Sequence, residues 1–255
     1  MALRKAMLVA RADLKMALQV RYVKFSLIGM GALAPVLVLA LIGLMIASVP
    51  LADPAYPVLM SFFPQIGSTL IAMFSVIPAT MIAANALVGE REQNTLEAIL
   101  STPLTDRELL LGKTLSSFIP SIVLLLAGTA AVMIGTTVEF LLLRKPWMMI
   151  PSVEGLFVIL AAAPLVILAA VSINILISGK VKRVYEAYQS SGAIILVLMI
   201  PMFIPIIGLD VSGVPNPNII WLGNLLTFLI SAVLVTVTWA LAFRRFNRDA
   251  MVSRR

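Results

Sequence analysis

Residues 89–113 read GEREQNTLEAILSTPLTDRELLLGK. This is the most polar internal stretch of the chain, and it lies between two long apolar runs. It carries five carboxylates (Glu90, Glu92, Glu97, Asp106, Glu108) and three cations (Arg91, Arg107, Lys113). Its spacing predicts helices. Asn94 suits an N-cap and Glu97 stands three residues on, the spacing of a capping box. Leu96, Ile99 and Leu100 then share one face of a short helix. Pro103 ends it, because the residue before a proline is pushed out of the helical region. Thr105 and Glu108 repeat the capping-box spacing and open a second helix that runs into the next apolar stretch. On the pattern alone this is either a solvated connection or a docking helix for a soluble partner. A plain connector needs only ~2–8 residues, so the length and the capped helix with its apolar face favour docking.

Working outward, the flanking runs decide the fold class. The chain has 255 residues, 61% hydrophobic and 12% charged, against about 25% charged in an ordinary soluble domain. Apolar runs of membrane-spanning length fall at about 25–49, 63–88, 114–138, 153–178, 193–209 and 219–243. The expected fold is an all-α polytopic membrane protein with six transmembrane helices. Residues 50–62 and 139–152 read as outer loops, and 179–192 as a basic inner loop.

Residues 1–24 hold six cations (Arg4, Lys5, Arg11, Lys15, Arg21, Lys24) and one acid, Asp13. Leu3, Met7, Leu14 and Leu18 recur at helical spacing, with Arg4, Arg11 and Lys15 on another face. This predicts an N-terminal amphipathic helix on the membrane surface. The apolar run that follows is too long for the ~7–15-residue core of a signal peptide. Six spans put both termini on one side. Of the 19 cations, 17 then lie on that side and only Arg144 and Lys145 on the other. The positive-inside rule therefore predicts cytoplasmic termini in a plasma-membrane protein.

The 89–113 stretch resembles the cytoplasmic loop of ATP-binding-cassette exporter permeases of the second class, which reads G-E-R-E-x-G-T-L-E-x-L-L-x-T-P and then a helix ending L-G-K. Gly89, Glu90, Arg91, Glu92, Thr95, Leu96, Glu97, Thr102, Pro103, Leu104, Glu108, Leu109, Gly112 and Lys113 match as they stand. Asn94 replaces the usual glycine and caps equally well. Residues 177–201 resemble a second segment of that family, a basic loop leading to E-A-Q-Q, a small-residue pair, an apolar run and a proline. Tyr188 stands where that family often has glutamine.

The resemblance implies a cytoplasmic coupling helix that docks in a separate ABC ATPase subunit. It implicates Glu90, Arg91, Asn94, Thr95, Leu96, Glu97, Ile99, Leu100 and Pro103, with Glu90 and Glu97 as polar contacts and Leu96, Ile99 and Leu100 as the apolar plug. It implies no cofactor in this chain, with ATP and Mg held by the partner. It also implies a dimer with a second copy or a related permease subunit, and a translocation path along the second and fifth spans. Ser75, Pro78, Asn85, Pro201 and Pro205 are the candidates for that path.

Other chemistries are excluded or disfavoured. There is no cysteine and no histidine, so thiol nucleophiles, imidazole bases and thiolate or imidazole metal sites are absent. Gly112-Lys113-Thr114 imitates the end of a P-loop, but the required glycine would be at Arg107 and the residues before it are helical in pattern. The cations flank apolar runs without interleaved aromatics, so nucleic acid is not an expected partner. No ionisable residue falls in the middle of an expected span, which argues against a proton- or sodium-coupled carrier. The polar residues within spans read chiefly as interhelical hydrogen-bonding groups. The alternatives to the permease are an ATP-independent carrier or channel and a non-transporting membrane scaffold. The uncharged interior favours a lipid-like or hydrophobic cargo.

Overall fold

The computed structural model describes residues 2–92, 104–181, 183–207 and 217–245. A first helix, α1 (Ala2–Ala17), precedes α2 (Arg21–Ser48), α3 (Ala55–Glu92), α4 (Asp106–Leu142), α5 (Val153–Ser178), α6 (Val184–Ile207) and α7 (Pro217–Arg245). Among the described residues, α2 to α7 are the six helices long and apolar enough to cross a membrane. No strand occurs among them. The chain is an all-α, multi-pass membrane protein.

α3 and α6 begin well inside stretches expected to be loops. α3 starts at Ala55 rather than near Phe63. Asp53 accepts the Ala55 N–H at 2.8 Å, and Pro57 falls in the first turn, where a missing N–H costs nothing. Tyr56 and Met60, one turn apart, bury against the core and hold this extension. α6 starts at Val184, inside the stretch expected to be a loop. Its Val184 N–H donates to Glu92 Oε1 at 2.8 Å, so the last residue of α3 caps the first turn of α6. Ala187 then packs with Ala84 and Val88, small side chains that let α6 lie close on α3.

α3 and α5 form the enclosed centre, while α7 and α4 are the least enclosed. α5 is apolar on all sides, and Val158, Ile159, Ala162, Ala163, Val166, Ile167 and Ala170 are fully buried. One turn of α5, Val158–Ala162, is a π-helix directly before Pro164. The wide turn accommodates a residue that has no N–H and whose ring would crowd the preceding carbonyls. Exposed leucines, isoleucines and valines of α2, α4 and α7 face outward, where lipid is the natural neighbour.

Most polar residues inside the spans satisfy themselves locally rather than across helices. Ser68, Thr69, Ser75, Thr80, Ser172 and Asn174 donate to carbonyls three or four residues back in their own helix. The expected interhelical bonding holds at fewer places. Gln65 Nε2 donates to Asn224 Oδ1 at 3.1 Å, and Asn224 Nδ2 donates to the Glu154 carbonyl at 2.9 Å, joining α3, α7 and α5. Thr227 donates to the Pro201 carbonyl at 2.8 Å, sharing its hydroxyl with Gly223 of its own helix. That carbonyl needs an outside donor because its regular partner four residues on is Pro205, which has no N–H.

Thr227→Val removes this donor and leaves the Pro201 carbonyl buried without one, at a cost of about 1–2 kcal/mol. Thermal unfolding in detergent is expected to begin at lower temperature in Thr227→Val and to be restored in Thr227→Ser.

Candidate functional site at the base of α3

The final turns of α3 lead directly into the 89–113 stretch. The expected docking helix, about Asn94–Ser101 with Thr95, Leu96, Glu97, Ile99 and Leu100, and the stop at Pro103, lie outside the described residues. The side chain of Arg91 lies outside them as well. Both flanks are described. On the far flank Thr105 caps α4 with a complete capping box: its Oγ1 accepts the Glu108 N–H at 3.2 Å, and the Thr105 N–H donates to Glu108 Oε2 at 3.0 Å. The spacing read from the sequence therefore fixes where the chain turns back into the bundle.

Two turns into α4 stands Lys113, 0% exposed and among the largest fully buried side chains. Its Nζ lies 2.6 Å from Glu90 Oε1 of α3 and 3.3 Å from Asp13 Oδ2 of α1. It also donates to the Ala86 carbonyl. An ammonium has three protons to place, and three acceptors from two other helices receive them. Such pairing is the condition under which a lysine is tolerated away from water. Burial pushes the Asp13 carboxyl above the ordinary carboxylate range, and the adjacent Lys113 ammonium opposes that shift.

Local sequence explains how α1 reaches Lys113. Ala6, Ala10, Asp13 and Ala17 recur at helical spacing and are the buried residues among the described side chains of α1. Gly112 lies beneath this face, and a Cβ there would sit 2.7 Å from Val9 Cβ and 3.0 Å from the Ala6 carbonyl. Glycine before lysine thus lets α1 approach closely enough for Asp13 to meet Nζ. α1 has three faces rather than the expected two. The alanine and aspartate face packs on the bundle, Met7 and Leu18 remain exposed beside it, and Arg4, Arg11 and Lys15 are exposed beyond.

Other helices converge on the same turns of α3. Ser178, the last residue of α5, accepts the Leu87 and Val88 N–H groups at 3.0 and 2.9 Å. Asn85 donates to the Tyr188 hydroxyl of α6, and the Tyr188 ring lies 5.2 Å from that of Tyr22 in α2. With Glu92 capping α6, the base of α3 is bonded to α4, α5 and α6, and through Lys113 and Tyr188 to α1 and α2. A cavity of about 50 Å³, lined by Asp13, Asn85, Glu90 and Ser116 among apolar neighbours, borders this junction. It has room and polar partners for water.

The expected roles shift accordingly. Glu90 was expected to contact a partner protein, but it is 6% exposed and turned inward to Lys113. Asn85 was expected on a translocation path and instead ties α3 to α6. Ser75 donates to its own helix beside a small cleft among α2, α3 and α4. Pro78 is buried in α3, and Pro201 lies at the contact of α6 with α7. Pro205, whose side chain is outside the described set, serves through its missing N–H. Sequence reasoning missed Lys113 and Asp13 as a pair. The available signals were the single acid among six cations in residues 1–24 and the glycine immediately before the lysine.

The fold and this junction define a multi-pass helical membrane protein in which one internal polar stretch is anchored to nearly every helix. The model of the family described as ABC-2 family transporter protein matches residues 52–217, from before α3 to the start of α7. The chain belongs to this family and is an ABC transporter permease, a membrane component of transport. No curated protein matches it. Glu90 and Lys113 lie inside the matched segment, whereas Asp13 and all of α1 precede it.

Lys113→Met leaves the Asp13 and Glu90 carboxylates facing each other in a water-poor site, a loss of about 3–5 kcal/mol. Purified yield and melting temperature are expected to fall sharply. Adding Asp13→Asn and Glu90→Gln to Lys113→Met is expected to recover most of both, because the uncompensated charges are then gone.

Proposed function

We propose that this chain is the membrane subunit of an exporter driven by a separate ABC ATPase subunit, which binds ATP and Mg and docks on the stretch between α3 and α4. The observation that carries this reading is where that stretch is rooted. It leaves the bundle from a segment of α3 that is joined, directly or through Lys113 and Tyr188, to five other helices, and it returns at a capped α4 whose second turn holds Lys113. A force on the intervening residues reaches α1, α2, α4, α5 and α6 through these bonds, as a mechanical coupling requires. Membership of the ABC-2 transporter family supports the same reading, as does the match of 89–113 to the loop pattern of exporter permeases.

In this mechanism ATP binding draws two ATPase subunits together. The helix at about Asn94–Ser101 moves with them, and two permease subunits, identical or related, shift between inward- and outward-facing arrangements. Leu96, Ile99 and Leu100 form the apolar plug. Arg91, Asn94, Thr95 and Glu97 supply polar contacts, and Pro103 ends the docking helix. Glu90 anchors the root of the loop instead of touching the partner. The docking side and both termini are cytoplasmic, in keeping with the 17 cations on that side. The uncharged polar groups of the spans are bonded largely within their own helices, which suits a lipid-like or hydrophobic cargo.

Tagged chain purified from native membranes in mild detergent is expected to bring down a P-loop ATPase in stoichiometric amount. Deletion of Asn94–Ser101 is expected to abolish its recovery while the chain still inserts, and Glu97→Arg to abolish ATP-driven transport with insertion intact. A preparation free of ATPase that still supports nucleotide-independent flux in liposomes would replace this reading with a carrier, and one with neither would leave a scaffold.

A further inference from the structure

We infer that Lys113 is the transmission point between the docking stretch and the N-terminal helix, with Asp13 as the positioning residue that makes α1 follow α3 and α4. This inference rests on the reading that an ATPase docks between α3 and α4.

The two arms of that stretch are the end of α3 and the start of α4. Lys113 belongs to one arm and is bonded twice to the other, at Glu90 Oε1 and at the Ala86 carbonyl. The arms are therefore tied to each other close to their roots and move as one body. The third bond of Lys113 goes to Asp13. The rest of the described α1 contact is apolar, with Ala6, Ala10 and Ala17 buried and Val9 over Gly112. Asp13 adds to it a charged, directional bond to Lys113. α1 passes into α2 through three residues, and these are already folded back on α1: Leu18, Gln19 and Val20 donate their N–H groups to the Leu14, Met16 and Ala17 carbonyls. A displacement of α1 is thereby delivered to α2, which also packs on α3 through Val23 and Ile82 and meets Tyr188 of α6 through Tyr22.

Burial and charge set the character of the tie. Lys113 has no access to water, whereas Asp13 borders the 50 Å³ cavity. Replacing Asp13 by asparagine leaves Lys113 paired with Glu90 and keeps an oxygen in place, so the core of the junction survives while the ionic grip on α1 is lost. α1 precedes the family-matched segment, which begins at residue 52. The tie therefore adds the N-terminal hairpin of α1 and α2 to the part of the chain that the family model describes.

The chain has no cysteine, so introduced pairs report without background. Spin labels are placed on exposed Leu8 of α1 and Leu241 of α7 in one sample, and on Ile119 of α4 and Leu241 in another. α7 serves as the reference because, among the described residues, Lys113 and Asp13 are bonded to α1, α3 and α4 and not to it. Distances are measured in the complex with the co-purified ATPase, before and after trapping with ATP, Mg and vanadate. The unaltered background is expected to show a shift in both pairs. Asp13→Asn is expected to keep ATP hydrolysis and the α4 shift and to lose the α1 shift, with recovery in Asp13→Glu. Gly112→Ala, which lifts α1 from α4 without changing charge, is expected to give the same split and decides the matter if Asp13→Asn fails to insert. Persistence of both shifts in these variants overturns the inference and leaves ATPase docking intact. Absence of any ATPase from the purified chain, or of any ATP-dependent shift in the background, overturns docking-driven movement and this inference together.

Discussion

A lysine ammonium closed off from water must place three protons on acceptors that the fold brings to it, and much of the architecture follows from meeting that demand at Lys113. Glu90 has to be on the inner face at the end of α3. Asp13 has to reach across from a helix a hundred residues earlier in the chain. Gly112 has to lack a side chain, and the flanking α1 positions have to be alanine. None of these choices is expensive singly. They are linked, because Lys113 binds all three acceptors through one ammonium, and removing the lysine leaves two buried carboxylates without their counter-charge. The lysine therefore fixes the relative positions of three helices at the place where the polar stretch enters and leaves the bundle.

The spans themselves are held by gentler means. Serines, threonines and asparagines bond mainly to their own helices, and α5 packs by shape through alanine, valine and isoleucine. This is the arrangement expected where lipid is as apolar as the neighbouring helix and close packing carries association. Against that background the few cross-helix bonds stand out by position. Gln65 with Asn224, and Thr227 with Pro201, connect α7 to the centre, while the dense group lies at the base of α3. The polar bonding among the described residues is thus concentrated where the 89–113 stretch is rooted.

The six spans were legible because apolar runs of that length have few other uses, and the Thr105–Glu108 cap was legible because its bonds are local. The early start of α3 at Ala55 was hidden by two prolines and an aspartate, which read as a loop until Tyr56 and Met60 find the core. The early start of α6 was hidden by polar residues whose first turn depends on a distant cap, Glu92. Asp13 and Lys113 were each visible as charges and were counted only as such. Nothing in local spacing joins residues so far apart, and no pattern of one helix shows that Glu90 turns inward rather than outward.

The separation of Asp13 from Lys113 also sets an order in time. The two residues are 100 positions apart, and a ribosome adds about 5–20 residues per second. Asp13 therefore leaves the ribosome roughly 5–20 s before its partner is made. Throughout that interval the Asp13 carboxylate has only the cations of its own segment, exposed to water, as neighbours. Lys113 in turn enters the membrane region as an ordinary charge at the edge of a new segment. Only when α4 is in place can the two meet, so the first helix to be synthesised is among the last to reach its final seat. A nascent chain stopped before α4 would carry α1 as a loose arm, open to whatever quality-control factor surveys unpaired charge at the membrane.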